Sequence, residues 1–287
     1  MNWRKSVFAK KAVRYGFDAL RFPYGCIHKE NDFHARPPIL ANSFPKSGTH
    51  LLIQILQSIP GLRDWGLFLA STPSFSFREI SDDKMSRKIS GIVPAELVSG
   101  HLFYSAIAAQ SLDAKNTVQY FIYRDPRDIV ISEAHYLTHM NTWHRLHKYF
   151  KSQPDINSRI MFSIKGFTNS NFPYDYPNIA ERFTRYRGWV DHPDVFSLKF
   201  EDLVKFEREQ LVRKVLDFYT QRSGKQINLD DLVEKAIANI DPQKSHTFRE
   251  GKSAAWKKVF TNEHKNVFKK HAGQLLIDLE YEQDENW

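Results

Sequence analysis

Apolar positions along the chain change period several times, and each change marks a predicted element. In ILANSFPKSGTHLLIQIL, residues 39–56, a short apolar run meets a Pro-Lys-Ser-Gly-Thr turn and then apolar positions at helical spacing, which predicts strand, turn and helix. Glu96 to Leu102 predicts a second short strand ending at Gly100-His101. Thr117 to Tyr123, TVQYFIY, is β-branched and aromatic enough for a buried third strand, which Arg124-Asp125-Pro126 breaks before a helix resumes at Asp128. Ile179 to Val190 has helical spacing, and Val195 to Phe200 predicts a further strand. Helices from Phe206 and Asp230 and a last one over Glu263 to Leu279 complete the pattern. Strands alternating with helices predict an α/β fold, with a central, mostly parallel sheet, helices on both faces, and ligands beyond the carboxyl ends of the strands.

Three stretches lack a clean period. Ser58 to Ser90 mixes Pro, Gly, Ser, Asp and aromatics and is expected to be a long irregular segment over one end of the sheet. Asn141 to Pro177 is expected to form short helices and loops, a second lid over the ligand side, and Asp241 to Thr261 is basic and loop-like. At the N-terminus, Trp3, Val7, Val13, Phe17 and Leu20 fall near helical spacing among Arg4, Lys5, Lys10, Lys11 and Arg14. Residues 1–30 are therefore expected to form a basic helical segment packed on a single domain over 31–287, with a charged face suited to peripheral contact with an anionic membrane.

Composition narrows the function classes. At 287 residues the chain can bury a substantial core, and 41% hydrophobic with 14% aromatic residues excludes a disordered chain. Lys plus Arg number 41 against 33 acidic residues, a net +8 that favours an anionic partner. The one cysteine, Cys26, cannot close an internal disulfide, which fits a reducing, cytoplasmic setting. No stretch approaches the length of a membrane span, and the N-terminus lacks the apolar core of a signal peptide.

The Pro-Lys-Ser-Gly-Thr turn has the makings of a P-loop-like phosphate cradle. Gly48 lets the backbone bend, the following helix presents free N–H groups and its positive dipole end, Lys46 adds a full charge, and Ser47 and Thr49 add hydroxyls. Two further segments supply anion-binding chemistry. In RDPRDIVIS, residues 124–132, Arg124 stands at a strand end and offers a bidentate guanidinium, and Ser132 follows on the next helix. In FREGKSAAW, residues 248–256, Arg249, Gly251 and Lys252 combine charge with a close backbone approach.

The order, spacing and strand-end placement of these segments resemble the cytosolic-type sulfotransferases, which use 3′-phosphoadenosine 5′-phosphosulfate. The resemblance runs from about Ile39 to Thr261 and includes FSLKFEDL, residues 196–203. It implies that Lys46, Ser47, Gly48 and Thr49 hold the 5′-phosphosulfate, and that Arg124, Ser132, Arg249 and Gly251 hold the 3′-phosphate. It also places His50, Phe200 and Glu250 at donor-binding positions. His101 falls where the family carries its catalytic histidine. An imidazole there would take a proton from an acceptor hydroxyl or, less readily, an amine, while Lys46 stabilises the leaving oxygen in an in-line transfer. The acceptor so implied is a small molecule, glycan or lipid, with no metal and no nucleic acid.

The chain departs from the family pattern in several places. His50 and Leu51 stand where the family has Thr and an adenine-stacking Trp, Phe200 replaces a frequent Tyr, Ser99 a Lys, and Glu250 a basic residue. The family's dimer motif survives only in Lys257 and Thr261, with Asn262 and Asn266 in its other places.

Other readings of the same residues are a nucleotide-dependent kinase and a noncatalytic basic module on nucleic acid or membrane. The turn lacks the Gly-Lys-Ser/Thr ending of kinases, and the informative basic residues sit singly at strand ends instead of forming a stripe. His135, His139, His144 and His147 have a spacing open to zinc but no cysteine or acidic partner. Tyr136, Trp143, Tyr149, Phe75 and Phe77 are candidates for an acceptor pocket.

Overall fold

A computed structural model describes residue 21, residues 23–24, 29–167, 174–204, 208–241 and 254–287. In chain order the elements are α1 (Glu30–Ala35), β1 (Ile39–Ser43), α2 (Thr49–Leu56), β2 (Phe68–Ala70), α3 (Asp82–Ser90), β3 (Leu97–His101), α4 (Ala106–Asp113), β4 (Val118–Tyr123) and α5 (Pro126–His135). A π-helical turn (Tyr136–Met140) follows, then α6 (His147–Lys151), α7 (Ile156–Lys165), α8 (Ile179–Asp191), β5 (Val195–Lys199), α9 (Phe200–Val204), α10 (Arg208–Ser223), α11 (Leu229–Asn239), α12 (Trp256–Val259) and α13 (Asn262–Asp278). The N-terminal helical segment with its membrane-facing role, Cys26 and the loop residues Arg249, Glu250 and Gly251 lie outside the described residues.

The five strands form one sheet in the order β2-β3-β1-β4-β5, and every pairing is parallel. Parallel strands need crossovers that cover both faces, and the strands alternate accordingly. Ile39 and Ala41 of β1 and Val118, Tyr120 and Ile122 of β4 face one core, shared with Leu52 and Ile55 of α2, Val212 and Leu216 of α10 and Leu232 of α11. Leu40 and Phe121 face the other, with residues of α3, α4, α5, α7, α8 and α13. The expected α/β architecture is thus present, with helices on both faces.

One expectation needs correction, and one helix was missed. Ser58 to Ser90 is not wholly irregular, since it contains β2 and α3. Strand β2 is a three-residue edge, too short for alternation to show. Helix α3 buries only Met85 and Ile89, so its apolar stripe is one i, i+4 pair in a strongly polar segment. Helix α4, between the second and third expected strands, carried no clear sequence signal. Its buried face is Ala108, Ala109 and Leu112, small residues that add little periodicity.

Two local devices bring β3 correctly to the ligand side. A Cβ on Gly100 would lie 2.7 Å from the Leu69 carbonyl oxygen, so only glycine lets β2 pair this closely. Beyond β3, the Asn42 amide both donates to the Leu102 carbonyl (3.0 Å) and accepts from the Leu102 N–H (2.8 Å), which fixes the chain immediately after His101.

Candidate active site

The strand carboxyl ends open into a cavity of about 570 Å³. Lys46, Gly48, Thr49, His50, His101, Arg124, Ser132 and Phe200 all line it, so residues from four separate chain segments predicted to act together do meet here. Ser47 lies within the turn itself and is fully buried.

The turn is held by two left-handed residues, Lys46 (φ 71°) and Gly48 (φ 94°). Gly48 is required twice over, because a Cβ there would also come within 2.5 Å of the Phe200 ring. Gly48 caps α2 without a side-chain hydrogen bond, and the buried Ser47 hydroxyl has no partner. A fully buried, unsatisfied hydroxyl beside an open helix N-terminus is costly unless an acceptor ligand completes it, and an anion does so. The Lys46 ammonium rests 3.7 Å from the centre of the Tyr136 ring. Burial lowers its pKa to about 8, an effect that Glu133 opposes and Arg124 reinforces. An anion in the turn would relieve that frustration.

Arg124 is a second cationic group at the cavity. Its guanidinium lies 4.7 Å from the Phe200 ring centre and 3.2 Å from Asp128 Oδ2. The other Asp128 oxygen accepts the Trp256 N–H at 3.0 Å. Burial raises the Asp128 pKa, with the Arg124 cation working against it. Ser132 stands one turn beyond Asp128 on α5 and lines the same wall. The chain flanking 242–253 reaches the cavity from both sides. Gln54 bonds Asp241 in both directions (2.9 and 3.2 Å), and Ala255 lines the wall next to Trp256. Phe200 contributes packing against Gly48 and Arg124, a role that needs the ring and not the hydroxyl of the family's tyrosine.

His101 faces the cavity from the end of β3. Its Nδ1 lies 3.1 Å from the Ser43 carbonyl and 3.0 Å from the Ser43 hydroxyl. A carbonyl can only accept, so the first contact selects the tautomer with hydrogen on Nδ1 and leaves the lone pair on Nε2. Ser43 Oγ also lies 2.6 Å from Thr49 Oγ1, which links the turn to the histidine through one hydroxyl pair. Phe68 packs edge-on against the imidazole, with ring centres 5.1 Å apart. Burial, helped by the Lys46 and His50 charges, pulls the His101 pKa down to about 4, so the ring is neutral at physiological pH.

Beyond His101 the cavity is lined by aromatics, including Phe44, Phe77, Phe103, Tyr136 and Tyr186. Of the five candidate pocket residues only Tyr136 and Phe77 line it, while Phe75 and Trp143 stand out in solvent, 68% and 70% exposed. Sequence reading missed Ser43, Asp128, Glu133 and Arg182. Glu133 Oε2 accepts from Ser163 (2.6 Å), Tyr176 (2.9 Å) and Arg182 (2.9 Å), and these partners lie 30 to 49 residues away, beyond any local pattern. The histidine cluster dissolves into separate roles. His147 Nδ1 lies 2.7 Å from the Leu137 carbonyl, and His144 Nδ1 accepts the Leu146 N–H at 3.1 Å. Among the described residues no group of three His, Cys, Asp or Glu side chains is arranged to hold a metal ion.

A parallel α/β sheet that brings Lys46, Arg124 and a neutral His101 to one cavity at its strand ends is suited to group transfer from an anionic donor. The particular chain belongs to the sulfotransferase domain family, whose model matches residues 36–280. This sets aside the kinase and noncatalytic readings. Among solved structures it is similar to a mouse sulfotransferase, SULT7A1, complexed with PAP, at TM-score 0.57 and 17% identity over 90% of this chain and 89% of that one. It is also similar to a retinol dehydratase in a complex with retinol and PAP, at TM-score 0.53 and 16% identity over 86% and 84%. At that identity the likeness speaks to the fold.

Proposed function

We propose that the protein transfers a sulfuryl group from 3′-phosphoadenosine 5′-phosphosulfate to a hydroxyl of a small, largely apolar acceptor, with His101 as general base. The observation that carries this reading is the Ser43 carbonyl contact to His101 Nδ1, which leaves Nε2 basic in the same cavity as Lys46. Two cationic subsites suit a donor with two anionic ends, and both structural neighbours are PAP complexes.

In this reading Lys46, Ser47, Gly48 and Thr49 bind the 5′ end and His50 flanks it. Arg124 and Ser132 bind the 3′-phosphate over Phe200, joined by Arg249 and Gly251, with Glu250 at a neighbouring donor position, from outside the described residues. Leu51 lines the cavity where the family's tryptophan stacks on adenine, giving apolar contact without a ring. The donor supplies the activated sulfuryl group. His101 Nε2 takes the acceptor's proton, and Lys46 holds positive charge where the departing phosphate gathers negative charge. The aromatic walls favour an acceptor with an apolar body, and the retinol in one neighbour is of that kind. The lone cysteine fits work in the cytoplasm.

Calorimetric titration with nucleotides tests the donor assignment. Arg124→Ala should weaken adenosine 3′,5′-bisphosphate by roughly tenfold to a hundredfold, as for a lost charge-assisted pair, and leave adenosine 5′-monophosphate nearly unaffected. Equal losses for both nucleotides would overturn the 3′-phosphate role.

A further inference from the structure

The cavity mouth carries a surface that sulfuryl transfer does not use. Side chains of two neighbouring loops alternate between cavity and solvent. Ser74, Phe77, His144 and Leu146 line the cavity, while Phe75 (68%), Trp143 (70%) and Met140 (46%) project outward. The loops are pinned together at Arg145, whose backbone N–H donates to the Ser74 carbonyl (3.1 Å) and whose Nε donates to the Phe75 carbonyl (2.6 Å). The Arg145 guanidinium also lies 5.1 Å from the Phe75 ring centre.

The unpaired charge around this apolar tip is mainly positive. No acidic residue occurs between Glu133 and Asp155, a stretch containing exposed Arg145, Lys148 and Lys151 and four histidines. On the other loop Arg78 is exposed, and the next residue, Glu79, is paired with Arg185 at 3.2 Å. Exposed Trp, Phe and Met beside Lys and Arg, with the mouth carboxylates Glu79 and Asp175 both paired with Arg185, complement an anionic bilayer surface. The rings and thioether enter the headgroup boundary while the cations meet lipid phosphates. Protein–protein interfaces are depleted in lysine, which this surface carries at exposed Lys148 and Lys151.

We infer that the Phe75–Met140–Trp143 rim docks on an anionic membrane surface, with the cavity mouth turned toward the lipid. If the acceptor is lipophilic, a point that rests on the function proposed above, it can pass from bilayer to His101 without crossing water. Docking itself needs neither donor nor acceptor, so it stands or falls separately from the transfer reading.

Cosedimentation of the full-length protein with phosphatidylcholine vesicles, with and without phosphatidylserine, is the test. Wild type should partition onto the phosphatidylserine vesicles and be released by raised salt. Phe75→Ser with Trp143→Ser should lower the partition by roughly tenfold or more. Lys148→Glu with Lys151→Glu should lower it by at least about fivefold per charge. Unchanged nucleotide affinity would show that these surface variants are folded. Absence of wild-type binding, or binding that the rim variants leave intact, would overturn the inference. A rim-dependent dimer without vesicle binding would overturn it in favour of self-association.

Discussion

Two titrating residues govern how the site responds to pH. Unliganded Lys46 has a pKa of about 8 because it is buried and faces Arg124, and an anion in the turn favours its charged form, raising the pKa in the complex. Affinity for adenosine 3′,5′-bisphosphate should therefore be level below pH 8 and fall as pH rises through it, since binding then requires uptake of a proton. Lys46→Arg, permanently charged, should bind with a level profile from neutral to alkaline pH, and a wild-type profile without an alkaline fall would contradict the assignment. The same anion acts on His101, whose low pKa of about 4 is partly due to the Lys46 charge. An anion that offsets that charge would raise the proton affinity of Nε2, so under the proposed function His101 should become a stronger base with the donor bound. None of this was legible in sequence, where Lys46 and His101 are separate motif residues. Their coupling depends on burial and on Ser43, which lies in the apolar strand run and carries no motif of its own.

Among the elements, α5 does the most to assemble the site. It begins with Pro126 at its first turn and presents Asp128 and Ser132 to the cavity. Arg127, on its buried side, pairs with Asp125 and Glu282 and lies over the rings of Trp256 (3.8 Å) and Trp287 (4.5 Å). The C-terminal chain is thereby clamped to the helix whose Asp128 pairs with Arg124. Trp256→Ala should destabilise the fold by about 3–5 kcal/mol, as for a deleted core aromatic, and should weaken bisphosphate binding by loosening the clamp that positions the 256 backbone N–H against Asp128. Denaturant unfolding and calorimetry together check this, and a destabilised protein with unaltered nucleotide affinity would separate the clamp from the site. The strand-turn-helix at 39–56 and the Arg124 strand end were readable because apolar period and turn residues change together there. Helices α3 and α4 were not readable, because a single i, i+4 pair or a face of alanines leaves no periodic trace. Thr261, read as a remnant of a dimer motif, has a local task, capping α13 by accepting the His264 N–H at 3.2 Å.

At the scale of the whole molecule, the parallel sheet places every strand end on one side. The strand order sets β1 between β3 and β4, so the phosphate turn lies between His101 and Arg124. That adjacency makes one cavity out of segments 46 to 200, and it follows from the α/β alternation that the sequence displays. The aromatic half of the cavity was far less legible. Glu133, Tyr176 and Arg182 come together only through packing of α5, α7 and α8, which no local pattern announces. Among the described residues no helix is long and apolar enough to cross a membrane. The central claim is that this cavity moves a sulfuryl group with His101 as base. Its most direct test is transfer of labelled sulfate from 3′-phosphoadenosine 5′-phosphosulfate to a panel of phenols, sterols and long-chain alcohols by wild type and His101→Ala. The account expects labelled product with wild type and loss of at least about a hundredfold with the variant, as for a removed general base, while bisphosphate affinity is retained. Undiminished transfer by His101→Ala would contradict it.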